Sequence, residues 1–248
     1  MPATCPVTAR RRTDRAALLS AWLRRLPIAI AALDLAVIVL HLACGRYDLV
    51  NLDKEANLPT WYSSAKLLAL GALAWWFAVA ADGPRRAERR ACWYVAAAGF
   101  LLLSMDQTAQ VHERAGRALM GTAIGDGIRG LALGGDALKD AYGWVVLALP
   151  LMLAALYFAV SFFREEFRHD GRTLAWLLAG LALLACSPAL ETFVYHLPPV
   201  DEWTASVLAL YERVSGVEQM IEVIGCSCLL FGLLRHLRHM RSGLGRPR

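Results

Sequence analysis

Acidic and imidazole side chains gather at the ends of three apolar stretches of this chain. Asp106, His112 and Glu113 close one stretch, Glu191 and His196 close another, and Glu218 and Glu222 open a third. Carboxylates and imidazoles are the ligand chemistry of Zn, Mn and non-haem Fe. The pattern is similar to the inward-facing Glu and His of di-metal helix bundles. On that reading Asp106, His112, Glu191, Glu218 and Glu222 are ligands of a divalent transition metal. Glu113 or His196 is the general base that activates a metal-bound water. The substrate would be a lipid or a small apolar molecule.

Spacing supports parts of this set. On a helix, Asp106, Gln110 and Glu113 share one face, as do Tyr211, Ser215, Glu218 and Glu222. Gly225 extends the second stripe and leaves room for close approach. His112 is turned away from the Asp106 face, and Pro198 ends the helix near His196. No H-E-x-x-H, Walker loop or G-x-G-x-x-G is present. A structural reading pairs the same carboxylates with Arg114, Arg117 or Arg213. A third reading is a proton- or cation-coupled carrier. It uses Asp34 and His41, seven residues apart on one helix face, as a proton relay from the midplane towards Glu222. The plainer account of Asp34 is a helix–helix hydrogen bond. A non-catalytic assembly subunit with a polar core is the remaining alternative.

The elements that carry these residues are apolar helices. Of 248 residues 57% are hydrophobic and 19% charged, and the mean hydropathy is +0.42. A soluble domain has about 45–50% apolar and about 25% charged residues. The composition excludes a disordered chain, a collagen and a small disulfide-stapled domain. Six stretches approach the roughly 20 apolar residues that a bilayer core requires. They run from about Pro27 to Cys44, Tyr62 to Ala81, Cys92 to Asp106 (or on to Glu113), Tyr142 to Phe163, Thr173 to Val194 and Val214 to Leu234. The expected fold is an all-α polytopic transmembrane bundle of about six spans, residues 27–234, between basic tails 1–26 and 235–248.

Orientation follows from Lys and Arg, 18 of 26 of which fall in segments 1–26, 82–91, 164–172 and 235–248. Both termini are therefore expected in the cytoplasm of a bacterial inner membrane, with the carboxylate site on the extracytoplasmic side. This topology accounts for the net charge of +5 without a nucleic-acid partner. Trp61, Tyr62, Tyr142, Trp144, Tyr195 and Trp203 are expected at the outer interface. Trp22, Trp75, Trp76, Trp93 and Trp176 are expected at the inner one.

Arg10-Arg11-Arg12 imitates a secretion signal, but Asp34 interrupts the apolar run and no small-x-small cleavage site follows. The first stretch is expected to be retained. The six cysteines form no C-x-x-C, and the buried ones read as packing residues. The glycine-rich outer segment of about 114–140 reads as a connector or as a lid over the site. The sequence leaves the oligomeric state open.

Two strings are specific for a membrane protein: Leu52 through Ser64, containing Glu55-Ala56-Asn57-Leu58-Pro59-Thr60-Trp61, and Ser104 through Glu113. With the glutamate-bearing last stretch, they resemble an uncharacterised family of bacterial multi-pass membrane proteins over about residues 45–235. That family carries a similar Glu-x-Asn-x-Pro-Thr-Trp segment before one helix and a Ser-x-Asp-Glu…His-Glu segment at the end of the next. The resemblance implies a polytopic bacterial membrane protein and no particular reaction. Gln107 stands where the family pattern has an acid, which removes one ligand from a di-metal site. Read by itself, the first string caps a helix with Asn57 and places Pro59 in its first turn. Asp53 and Glu55 are left to line the mouth of the site or to face water.

Overall fold

The structure, a computed structural model, describes residues 6–44, 47–50, 57–83, 85–111, 114–115, 118, 122–123, 143–194 and 202–244, with side chains for those between 21 and 240 other than 143–147 and 191–194. His112, Glu113, His196, the Glu191 side chain and most of the 114–140 segment lie outside the described residues. Six long helices follow one another: α1 (Pro6–Cys44), α2 (Leu58–Ala80), α3 (Arg86–Ala109), α4 (Gly143–Glu166), α5 (Gly171–Val194) and α6 (Ala205–Leu244). No strand occurs among the described residues. Five helices contain segments long and apolar enough to cross a membrane: Ala21–Cys44, Leu58–Ala80, Ala148–Glu166, Gly171–Leu190 and Ala205–Met240. α3 has the length, at 24 residues, but begins with Arg86, Glu88, Arg89 and Arg90.

Local sequence sets the helix ends. Asn57 caps α2, its Oδ1 accepting from Thr60 N at 3.2 Å, and Pro59 occupies the first turn, where its missing N–H costs nothing. Gln110 ends α3 in the left-handed conformation, φ 50° and ψ 43°, with its N–H on Asp106 O at 2.8 Å. α3 therefore stops at Ala109, so the expected helical face that starts at Asp106 is broken at Gln110. α1 and α6 are longer than the apolar stretches within them. α1 runs on through Pro27, which stands between its basic flank and its apolar stretch, and α6 runs on through Gly216, Gly225 and Gly232 into its basic flank.

α2 packs along α3 and α5 along α6, and α2 also meets α6. The α5–α6 seam is made by glycines. A Cβ on Gly180 would lie 2.7 Å from Leu229 Cγ and 2.8 Å from Gly225 O, and one on Gly232 would lie 2.8 Å from Leu177. Small residues at such seams let helix backbones approach closely in a bilayer. At the end of the bundle where α2, α4 and α6 finish, Trp93 is buried against Phe77, Phe162, Phe163 and Phe167. The expectation of Trp93 as an interfacial ring is corrected: its neighbours make it the centre of an aromatic core. Trp22, Trp75, Trp76 and Trp176 are exposed, as interfacial rings are.

Large apolar side chains cover the outside as well as filling the core. Leu35, Leu68, Leu102 and Leu151 face outward, whereas Asp34, Ser64, Lys66, Ser104, Ser187 and Ser227 are buried. Apolar surface on this scale suits a lipid surrounding, and each polar group inside must find its partner within the bundle.

Candidate functional site

The buried polar groups form two adjoining clusters that meet on α6. The deeper one centres on Lys66 of α2. Its Nζ donates to Asp34 Oδ1 of α1 at 3.0 Å, to Val223 O at 2.6 Å and to Ser227 Oγ at 3.2 Å on α6. An ammonium has three protons, so this set satisfies it completely. Tyr62, one turn earlier on α2, donates its hydroxyl to Asp34 Oδ1 at 2.8 Å and lies 3.3 Å from Ile30 O. Its ring faces the Lys66 ammonium at 4.4 Å. Tyr62 thus turns inward and is no outer-interface anchor, whereas its neighbour Trp61 is exposed as expected. The Asp34 carboxylate is held by a cation and a phenol from a single helix face.

The second cluster lies on the side of Val223 nearer the start of α6. Ser187 Oγ of α5 is 2.6 Å from Glu222 Oε1 and 2.9 Å from Glu218 Oε1. Gln107 Nε2 of α3 donates to Glu222 Oε2 at 3.0 Å. Between the clusters, Ser64 of α2 and Ser104 of α3 exchange hydroxyl-to-carbonyl hydrogen bonds of 2.9 Å. Ser187 has one hydroxyl proton and two carboxylates beside it. It can donate to only one of them, and the other oxygen meets the hydroxyl's lone pairs unless a proton or cation stands between.

The geometry unites some of the expected residues. Glu218 and Glu222 share Ser187, as their common stripe predicts. Asp34 makes a helix–helix contact, with a lysine as well as a hydroxyl. Asp106 stands in the last turn of α3, and its neighbour Gln107 is the residue that reaches Glu222. Among the described residues no group of three or more His, Cys, Asp or Glu side chains could hold a metal ion. Asp106, Glu218 and Glu222 are thus not a ligand set by themselves. His41 lies on α1 two turns beyond Asp34 and is half-buried. Arg114 and Arg213 are exposed. Cys226 and Cys228 are buried, as packing residues, and Cys186 is exposed.

Sequence reasoning missed Lys66, Ser187 and Ser227. The signal for Lys66 was present: a lysine in an apolar helix, one turn after a tyrosine, has no water to reach. The serines gave no such signal, because a serine can satisfy its own helix backbone.

A third polar group lies outside the membrane-spanning segments, where α4 turns into α5. Asp170 caps α5, accepting from Thr173 N at 3.2 Å and Thr173 Oγ1 at 2.7 Å. It also meets Arg235 at 3.5 Å and His239 Nδ1 at 2.9 Å on α6. Burial alone would raise the Asp170 pKa. The Thr173 hydrogen bonds, the Arg235 charge and the His239 contact outweigh it and hold the carboxyl at about 2. Nearby, Arg89 of α3 grips Glu166 of α4 through two nitrogens, with Nε to Oε2 at 2.9 Å.

Comparison with curated proteins and with solved structures found no match. A family model does match, over residues 16–237, from within α1 almost to the end of α6. That span includes both buried clusters and Asp170 with its Thr173 and Arg235 partners, and the chain belongs to the family described as Domain of unknown function (DUF8692).

Proposed function

We propose that this chain is a six-span bacterial inner-membrane protein that handles protons, as a proton-coupled carrier, through its buried carboxylates. The observation that carries the reading is the convergence of Glu218 and Glu222 on the single hydroxyl of Ser187. That arrangement is relieved when one carboxylate holds a proton, and the next charged pair, Asp34–Lys66, is one residue further along α6 through Val223 O. Titratable groups inside a span are expensive and mark pathways for protons or ions. In this reading α3 is the sixth span, and its charged first turn lies at the interface. Both termini are cytoplasmic, from the Lys and Arg bias, so Glu218 and Glu222 face the extracytoplasmic side and Asp34 lies near the midplane. His41 offers a second protonable group on the Asp34 face.

The test is proton flux into vesicles carrying the purified protein. Wild type is expected to collapse an imposed pH gradient faster than empty vesicles, and Asp34→Asn and Glu222→Gln are expected to abolish the difference. Equal rates in wild type and both variants would overturn the reading.

The same convergence favours one other reading, in which a divalent transition metal replaces the proton between Glu218 and Glu222 and acts on a lipid or small apolar substrate. His112, Glu113, Glu191 and His196 would then have to complete the site. Elemental analysis of freshly purified protein distinguishes the two. Stoichiometric Zn, Mn or Fe, lost in Glu222→Ala and Glu191→Ala, selects the metal, and absence of metal in wild type removes it.

A further inference from the structure

A cavity of about 340 Å³ lies between α1 and the α2–α6 pair. α2 leaves the room for it: Ala65 and Ala69, four apart on one face, line it where longer side chains would fill it. Leu26 of α1 and Leu230 and Leu234 of α6 bound it on the other sides. Leu26, Ala65 and Ala69 are also exposed, so the cavity opens sideways out of the bundle. Its lining runs from Tyr62 to Leu73 on α2, about 16 Å along the helix. Tyr62 and Lys66, the polar side chains of its wall, offer no free proton. Tyr62 donates to Asp34, and Lys66 spends its three protons on Asp34, Val223 O and Ser227 Oγ. The cavity thus suits hydrocarbon, and a bilayer presents hydrocarbon at its open side.

The end of the cavity away from Lys66 is basic. Arg24 and Arg25 directly precede Leu26 on α1, and Arg238 stands one turn beyond Leu234 on α6. The acids described at this end of the bundle are already engaged. Arg86 meets Asp82, Arg85 meets Glu88, Arg168 meets Glu165, Arg89 meets Glu166, and Arg235 and His239 meet Asp170. Among the described residues no acid pairs with Arg24, Arg25 or Arg238, and Arg238 is half-buried. A guanidinium so placed is matched by an anion from outside the chain, and phosphate fits its fork of donors. Basic pockets between helices at the membrane surface hold anionic lipid head groups in this way.

We propose that the cavity and these arginines form a binding site for one anionic phospholipid of the surrounding bilayer. One acyl chain lies in the cavity and points towards the Asp34–Lys66 pair. The phosphate rests on Arg238, with Arg24 and Arg25 beside it. The site requires nothing of the proton pathway, and lipid retention can hold or fail whatever the flux.

The probe is dioleoyl phosphatidylglycerol, compared with dioleoyl phosphatidylcholine. Each is added to the delipidated full chain in detergent, and bound lipid is counted by native mass spectrometry. Wild type is expected to hold one phosphatidylglycerol about tenfold more tightly than phosphatidylcholine. Arg24→Gln/Arg25→Gln/Arg238→Gln is expected to bind the two lipids alike. Arg85→Gln/Arg86→Gln/Arg168→Gln makes the same change of net charge away from the cavity and is expected to keep the preference. Ala69→Phe fills the cavity without touching a charge and is expected to lose the tightly held lipid. Equal binding of both lipids by wild type overturns the site. So does a preference that survives the first triple variant or Ala69→Phe, or one that the second triple variant removes as well. Displacement of the lipid by glycerol 3-phosphate, a head group without chains, overturns the acyl-chain placement. If Ala69→Phe unfolds in detergent, Ala65→Leu decides on the same terms.

Discussion

Gln107 donates its side-chain amide to Glu222 across 3.0 Å and so ties the last turn of α3 to the middle of α6. The amide does what a carboxylate at position 107 could not: it presents N–H to an ionised neighbour. With Glu222 also beside Ser187, three helices converge on one carboxyl group.

Removing Lys66 is expected to be the most damaging single polar change. Lys66→Met leaves Asp34 buried beside Tyr62 alone, and breaking one half of a buried pair costs about 3–5 kcal/mol. Asp34→Asn/Lys66→Met removes both charges and is expected to recover most of that loss. Unfolding midpoints in a mild detergent–SDS titration, compared as a double-mutant cycle, check this.

The α5–α6 seam is expected to reject a single methyl group. Gly180→Ala and Gly232→Ala each place a Cβ under 3.0 Å from a neighbour, and overpacking of this kind costs about 1–3 kcal/mol. Gly99→Ala meets nothing within 4 Å and is expected to be neutral or to gain about 0.5–1 kcal/mol. Thermal midpoints of the three variants in one detergent give the comparison.

Asp170 is expected to give the fold an acid limit. Its carboxyl is held at about 2, below its ordinary 3.8, so its contribution is present above pH 3.8 and lost as pH falls towards 2. Asp170→Ala is expected to cost about 1 kcal/mol at neutral pH, as for other helix caps, and to flatten the pH dependence over that window. Stability measured from pH 5 to pH 2 in wild type and variant checks both statements.

Trp93 and Trp22 are expected to behave oppositely. Trp93→Ala empties the centre of the aromatic core and is expected to cost about 3–5 kcal/mol, whereas Trp22→Ala changes a ring that is already exposed. Midpoint shifts for the pair, in the same lipid, test the core assignment.

The helices were legible in the sequence because a bilayer demands long apolar runs, and five of the six helices contain one. Asn57 and Pro59 marked the start of α2 because capping chemistry is local. The Glu218–Glu222 pairing was legible from helical spacing. Lys66 meeting Asp34 was not, because their contact spans 32 residues of sequence and depends on how α1 leans on α2. Ser187 and Gln107 were illegible for a related reason: a neutral polar side chain announces nothing about which helix it will face. Trp93 misled because an aromatic at a helix end is written identically whether it meets lipid headgroups or four phenylalanines.

The partners of Lys66 also set a schedule for making this protein. Asp34 precedes its countercharge by 32 residues, while the Val223 and Ser227 acceptors follow Lys66 by 157 and 161 residues. An acidic or basic residue at the centre of a lone inserting helix costs about 2.5–3.5 kcal/mol. α1 and α2 therefore gain from entering the bilayer as one hairpin that carries a neutral pair. Two of the three ammonium protons then wait for α6, so a helix far downstream completes the interior that α1 and α2 share.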